Sequence, residues 1–295
     1  MNSTGSDKPR FSRLGLGTGM LASWRGGLSE EQARRLLSTA SENGITLIDT
    51  ADTYASGECE RLLGNLLKNQ REKFSLMTKA GYVCADVRGP LHRLNPLFKK
   101  LKYKLGQRQD FRPAYITHCL KRSLQRLRTD RVEVFLLHDP PAEVLADGKL
   151  FATLSQLKAS GFALRTGVSS GDDKVLRLAL AWADCDVIQT PLIEDGGIAA
   201  PLREAGSGRP LVILNHVSLG GQLPGPSQGA APAIQKWQEK VAARARELGS
   251  GSNAALLQVA LETTGADAVL TGTRNVSHLV ENCRAVLPLK SGVLP

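Results

Sequence analysis

No stretch of this 295-residue chain stays apolar for the roughly 20 residues that a membrane-spanning helix needs. That lack excludes a helical membrane protein. The N-terminal residues Met1 to Lys8 hold no apolar region of the kind that marks a secretory signal, so the cytoplasm is the expected compartment. Cysteine is scarce as well: Cys59, Cys84, Cys119, Cys185 and Cys283 are odd in number, scattered, and never in a CxxC or Cys/His pair at metal-ligand spacing. Reduced thiols and no metal are expected. Also missing is a GxGxxG turn opening a helix, which argues against a Rossmann domain. There is no apolar heptad seam, so a monomer is the default.

Charge, by contrast, is in excess. The formal net charge is +10, and +6 of it lies between Tyr82 and Arg112, where Arg88, Arg93, Lys99, Lys100, Lys102, Lys104, Arg108 and Arg112 face only Asp86 and Asp110. Aromatics within that segment are sparse and no nucleic-acid motif accompanies it, so no nucleic-acid partner is expected.

Short β-branched or Leu-rich runs alternate with longer amphipathic stretches, the pattern of βα units around a parallel sheet. Strands are expected at residues 14–18, 46–50, 75–79, 132–138, 164–169, 186–190, 210–216 and 268–272. Helices are expected at 29–43, 58–68, 113–126, 150–160, 172–182, 198–205, 233–248, 253–263 and 276–285. The first opens on a capping box, Ser29-Glu30-Glu31-Gln32, and closes on Asn43-Gly44. Eight such units make an α/β protein of the (β/α)8 TIM barrel class, which typically fills about 250 residues as one domain. One domain over residues 1–295 is therefore expected. It carries two inserted loops: a basic one, 82–112, after strand three and hanging over the mouth, and a Gly/Pro-rich one, 220–232, after strand seven.

In such a barrel the chemistry collects at the C-terminal ends of the strands. Asp49, Lys79 and His138 end strands two, three and four, and Tyr54 lies in the loop after strand two. Neighbouring strands are about 4.8 Å apart, so these side chains can meet. Each alone has an ordinary structural explanation. Together they supply a phenol acid, a cation to lower its pKa, a carboxylate to keep that cation charged, and an imidazole to clamp a polar substrate. The combination suits reduction of a carbonyl.

The same residues carry a family resemblance. Asp49-Thr50-Ala51-Asp52-Thr53-Tyr54 followed by Gly57-Glu58-Cys59-Glu60-Arg61-Leu62-Leu63-Gly64 resembles the signature of the aldo-keto reductases around their tyrosine. Thr78-Lys79 and Leu137-His138-Asp139-Pro140 are similar to the lysine and histidine segments, Gly167-Val168-Ser169 to a nicotinamide-contacting strand end, and Gly272 to Asn282 to the segment holding the adenosine end of the cofactor. The resemblance implies NADPH as cofactor, with NADH possible, and a small carbonyl substrate. Catalysis would fall to Asp49, Tyr54, Lys79 and His138. Ser169 and Gln189 would hold the carboxamide, Arg274 and His278 a 2′-phosphate, and Thr273 and Asn282 the adenosine, while Gly17 and Thr18 approach the cofactor closely. Trp24 and Tyr82 would wall the substrate pocket.

Three positions depart from the family. Ser170 stands where Asn is common. Strand seven ends on Asn215 or His216 instead of a ring-stacking Tyr. Gly272 replaces a Lys, which places more of any NADPH preference on Arg274. Two alternatives stand beside the reductase: an NAD(P)-dependent sugar or alcohol dehydrogenase, and a nucleotide-binding sensor barrel with little turnover.

Overall fold

Alternation along the strands decides which side chains reach the axis of this protein. The computed structural model describes residues 11–22, 27–83, 108–191, 209–215, 231–249 and 251–287. Within them β1 (Leu14–Gly17), β2 (Leu47–Asp49), β3 (Ser75–Ala80), β4 (Val132–His138), β5 (Ala163–Ser169), β6 (Val187–Thr190), β7 (Leu211–Leu214) and β8 (Ala268–Thr271) are all parallel. They close in chain order, with β8 returning to β1. The architecture is a (β/α)8 TIM barrel. Hydrogen bonding runs past several strand ends: Thr50 N–H donates to Met77 O at 2.8 Å and Asn215 N–H to Thr190 O at 3.0 Å.

Because successive residues face opposite sides, each strand divides its apolar residues between two cores. Leu47, Met77, Val134, Leu136, Val187 and Ile213 meet inside the barrel, joined by Phe11 from the segment before β1. Arg165, from the N-terminal half of β5, lays its guanidinium 4.9 Å from the Phe11 ring centroid. Their neighbours in sequence, among them Ile48, Leu76, Phe135, Leu137 and Ile188, face outward and belong to a larger core shared with the helices. Each fully buried Leu or Ile contributes on the order of 2 kcal/mol before the cost in entropy. The interior has no room to spare at Gly167, where a Cβ would lie 1.7 Å from Val187 O.

Nine α-helices are present among the described residues: α1 (Glu30–Glu42), α2 (Glu58–Leu66), α3 (Pro113–Leu127), α4 (Ala142–Leu145), α5 (Lys149–Ala159), α6 (Asp173–Ala181), α7 (Ala231–Leu248), α8 (Ser252–Thr264) and α9 (Val276–Val286). None is long and apolar enough to cross a membrane. The capping box forms as read: Gln32 N–H donates to Ser29 Oγ at 3.1 Å and Ser29 N–H to Gln32 Oε1 at 2.9 Å. The single turn α4, following Pro140-Pro141, was not expected. The expected helix at 198–205, the 220–232 loop up to residue 230, and residues 84–107 of the basic insertion lie outside the described residues.

Candidate active site

At the C-terminal ends of the strands the inward positions turn from apolar to polar. Asp49, Lys79, His138, Ser169 and Gln189 occupy them on β2 to β6, with Asn215 just past β7. The register pairs His138 with Ser169 and Ser169 with Gln189 directly. Lys79, 1% exposed, donates to Asp49 Oδ1 and, at 2.9 Å, to Thr50 O. Gln189 Nε2 donates to the same Asp49 oxygen at 3.1 Å. In turn Gln189 Oε1 accepts from Ser169 Oγ at 2.7 Å and from Asn215 Nδ2 at 3.4 Å. One hydrogen-bonded chain thus crosses the mouth from β3 to the end of β7. It satisfies the buried charges that would otherwise be costly.

Tyr54 opens a 3-10 turn, Tyr54–Gly57, in which Ala55, Ser56 and Gly57 all have positive φ (48°, 56° and 88°). Non-glycine residues rarely take that conformation, and it tends to gather at functional sites. The ring centroid lies 5.3 Å from Lys79 Nζ, and the ring stands edge-on to His138, centroids 6.4 Å apart. Below the turn, Glu60 accepts from Thr78 Oγ1 and from Arg126 Nε, both at 2.6 Å. A Cβ on Gly64 would lie 2.3 Å from Arg126 O, so α2 and α3 touch there through backbone. The Gly57 to Gly64 motif therefore builds the support under Tyr54.

One electrostatic expectation is corrected. Lys79 is the largest influence on the Tyr54 phenol and pulls its pKa down, but burial, the Asp49 carboxylate and Cys59 push it up. The sum leaves the phenol above its ordinary value, because it is buried and the carboxylate that holds the lysine also repels a phenolate. For Lys79, burial opposes the charge, yet Asp49 and then Tyr54 hold its pKa above the ordinary lysine value. The surroundings thus favour the neutral phenol and the charged ammonium.

The basic insertion starts and ends at this mouth. Tyr82 and Gln109 form an antiparallel bridge, with Val83 N–H donating to Arg108 O at 3.0 Å and Asp110 N–H to Gly81 O at 2.8 Å. The two legs form a neck. The Tyr82 ring stands 5.0 Å from that of His138, at 86°, beside the histidine at the mouth. Trp24 and His216 lie outside the described residues.

The remaining expected contacts fall into two groups. Thr18 and Asn282 are buried with their side chains engaged: Thr18 Oγ1 donates to Asp49 O at 2.8 Å, and Asn282 Nδ2 to Thr271 Oγ1 at 2.9 Å. Ser170, likewise, accepts from Asp172 N–H at 3.1 Å ahead of α6. Thr273 Oγ1 accepts from the N–H of Asn275, which caps α9 by accepting from Ser277 N–H at 2.8 Å. Arg274 and His278 are exposed on either side of that cap, where helix N–H groups favour an anion. A cavity of about 560 Å³ adjoins α9, lined by residues that include Leu248, Ser277, Val280 and Arg284.

Between these groups there is room and a matching donor set for an amide-bearing ring. Among the described residues, a Cβ on Gly272 would meet nothing within 4 Å, and one on Gly17 only backbone, the nearest atom being Thr271 O at 3.6 Å. Just past the end of the neighbouring β7, Asn215 Oδ1 is buried and accepts no hydrogen bond from the described residues. A carboxamide brings both a donor for that oxygen and an acceptor for Ser169 or Gln189. The residues present fit a nicotinamide.

Three kinds of similarity bear on this geometry. The sequence model of the aldo/keto reductase family matches residues 13–293. The NADH-specific methylglyoxal reductase of Escherichia coli (strain K12) is 30% identical over 211 residues, a match spanning 64% of this chain and 61% of that enzyme. Among solved structures, the holo form of an aldo-keto reductase from Bacillus halodurans superposes with a TM-score of 0.72 at 22% identity, covering 96% of this chain and 89% of that one. An aldo/keto reductase from Klebsiella pneumoniae in complex with NADP and acetate gives 0.63 at 20% identity, covering 94% and 86%.

Proposed function

The chain belongs to the aldo/keto reductase family, and on that premise we propose that it reduces an aldehyde or ketone to the alcohol, with Tyr54 as proton donor and NADPH, or NADH, as reductant. The observation that carries this reading is the buried Lys79–Asp49 pair beneath a tyrosine and a histidine at one mouth. When bound, the nicotinamide supplies the hydride. As negative charge builds on the carbonyl oxygen, Tyr54 releases its proton to it and His138 hydrogen-bonds it. Lys79 steadies the phenolate left behind, and Asp49 keeps Lys79 charged and aimed. Ser169, Gln189 and Asn215 fix the face of the ring, while Arg274 and His278 take the adenosine phosphate.

The use of either nicotinamide is supported by the named cofactors of the two similar proteins, NADH in one and NADP in the other. Four buried free cysteines, Cys59, Cys119, Cys185 and Cys283, suit the reducing cytoplasm. Near neutral pH burial and the Asp49 carboxylate favour the neutral Tyr54 phenol, the form that donates a proton to a carbonyl oxygen; alcohol oxidation would use the phenolate as base.

Tyr54→Phe tests the assignment. The variant binds NADPH as the wild type does, read by nicotinamide fluorescence, and loses carbonyl reduction by at least about 10²-fold. Undiminished turnover would remove Tyr54 from the mechanism.

A further inference from the structure

In the hydrogen-bonded chain across the mouth the donors all point one way, toward Asp49. Lys79 Nζ and Gln189 Nε2 share Asp49 Oδ1, while Ser169 Oγ and Asn215 Nδ2 share Gln189 Oε1. The direction is forced at its root. A carboxylate paired with an ammonium only accepts, so the Gln189 amide turns its NH2 to Asp49 and its oxygen toward β5 and β7. Reversed, it would set oxygen against oxygen around a residue that is fully buried. Gln189 Oε1 then draws in the Ser169 hydroxyl proton and the Asn215 NH2, which leaves Asn215 Oδ1 at the open end. That oxygen is buried and accepts no hydrogen bond from the described residues. Backbone fixes its place: Asn215 N–H donates to Thr190 O at 3.0 Å, and Asn215 lies two residues beyond Ile213, which packs inside the barrel.

We propose that Asp49 has a second task besides holding Lys79: through Gln189 it orients Asn215, so that the cofactor side of the mouth presents an acceptor and selects nicotinamide rings by the N–H of their carboxamide. Asp49 is thereby a positioning residue for the ring as well as the anchor of the ammonium beside Tyr54. The inference rests on the nicotinamide-dependent reading of this mouth. A ring carrying a methyl ketone in place of the carboxamide has nearly the same size and nothing to donate, so it leaves a buried oxygen unsatisfied. Removing the carboxylate should release this selection. Without Asp49, the Lys79 ammonium needs another acceptor, and Gln189 supplies one by reversing its amide. Gln189 Nε2 then faces Ser169 and Asn215, Asn215 reverses in turn, and the open end offers an N–H that a ketone oxygen can use.

The test is calorimetric titration with NADP+ and with its 3-acetylpyridine analogue, in which methyl replaces the carboxamide NH2. The proteins are the wild type, Asp49→Ala, and the double variant Asp49→Ala, Lys79→Met, which leaves no buried ion without its partner and keeps the test open if the single variant fails to fold. Taking the ratio of the two Kd values within each protein cancels contacts to the rest of the dinucleotide. The wild type should favour NADP+ by about tenfold or more, the scale of one buried acceptor left unpaired. Both variants should bring the ratio to within about threefold of one. If Asp49 does no more than hold Lys79, affinities fall together and the ratio keeps its wild-type value, which overturns the relay and leaves the reductase reading standing. Equal binding of the two dinucleotides by the wild type overturns the relay as well. Failure of the wild type to bind either would overturn the nicotinamide reading and the relay with it.

Discussion

Thr78 and Lys79 are consecutive on β3, and each feeds a buried ion pair on its own side of the sheet. Outside the barrel, Thr78 donates to Glu60, whose second oxygen takes Arg126, and Arg126 also donates to Ser123 at 3.0 Å. Inside, Lys79 donates to Asp49, whose same oxygen also takes Gln189. The outer pair is closed upon itself and holds α2 against α3. The inner pair faces a phenol, an imidazole and an open mouth. Desolvating an ion pair is costly on either side, so buried charge does not by itself mark a reactive site; what distinguishes the two is the group left within reach of the cation.

Three experiments bear on that contrast. The largest effect is expected at Lys79→Met, which should lower kcat/KM for carbonyl reduction by about 10²- to 10⁴-fold, the range for losing assisted proton transfer. Arg126→Met should act on stability instead. It leaves Glu60 buried without its cation and should cost about 3–5 kcal/mol in denaturant unfolding, with turnover per folded molecule close to wild type. A loss of turnover as steep as that of Lys79→Met would erase the distinction between the pairs. The smallest effect is the pH profile near neutrality. Reduction needs Tyr54 protonated, and burial with the Asp49 carboxylate holds its pKa above the ordinary tyrosine value, so kcat/KM should be flat through neutral pH and fall only in the strongly alkaline range. A fall beginning near pH 8 would mean that Lys79 outweighs burial after all.

Much of this arrangement was legible in the residues. Ser29 and Gln32 announced a helix start because capping is local, involving atoms three residues apart. Asp49, Lys79 and His138 were legible because each ends an apolar run, and in a closed parallel barrel the ends of such runs share one mouth. Contacts that depend on the insertion were not. Tyr82 and Asp139 are 57 residues apart and meet only because the two legs of the neck pair beside a left-handed turn. The Glu60–Arg126 pair, 66 residues apart, had no signal beyond the Glu itself. The direction of the Tyr54 shift was missed for a related reason: sequence reveals that a lysine is near, but not how deeply the phenol is buried.

The most direct test is to titrate the purified protein with NADPH and NADH, following nicotinamide fluorescence, and then to add a small aldehyde to the tighter complex. The account predicts saturable binding followed by oxidation of the nicotinamide in step with alcohol formed. Saturable binding with no oxidation across a panel of aldehydes and ketones, or no binding of either nucleotide, would contradict it.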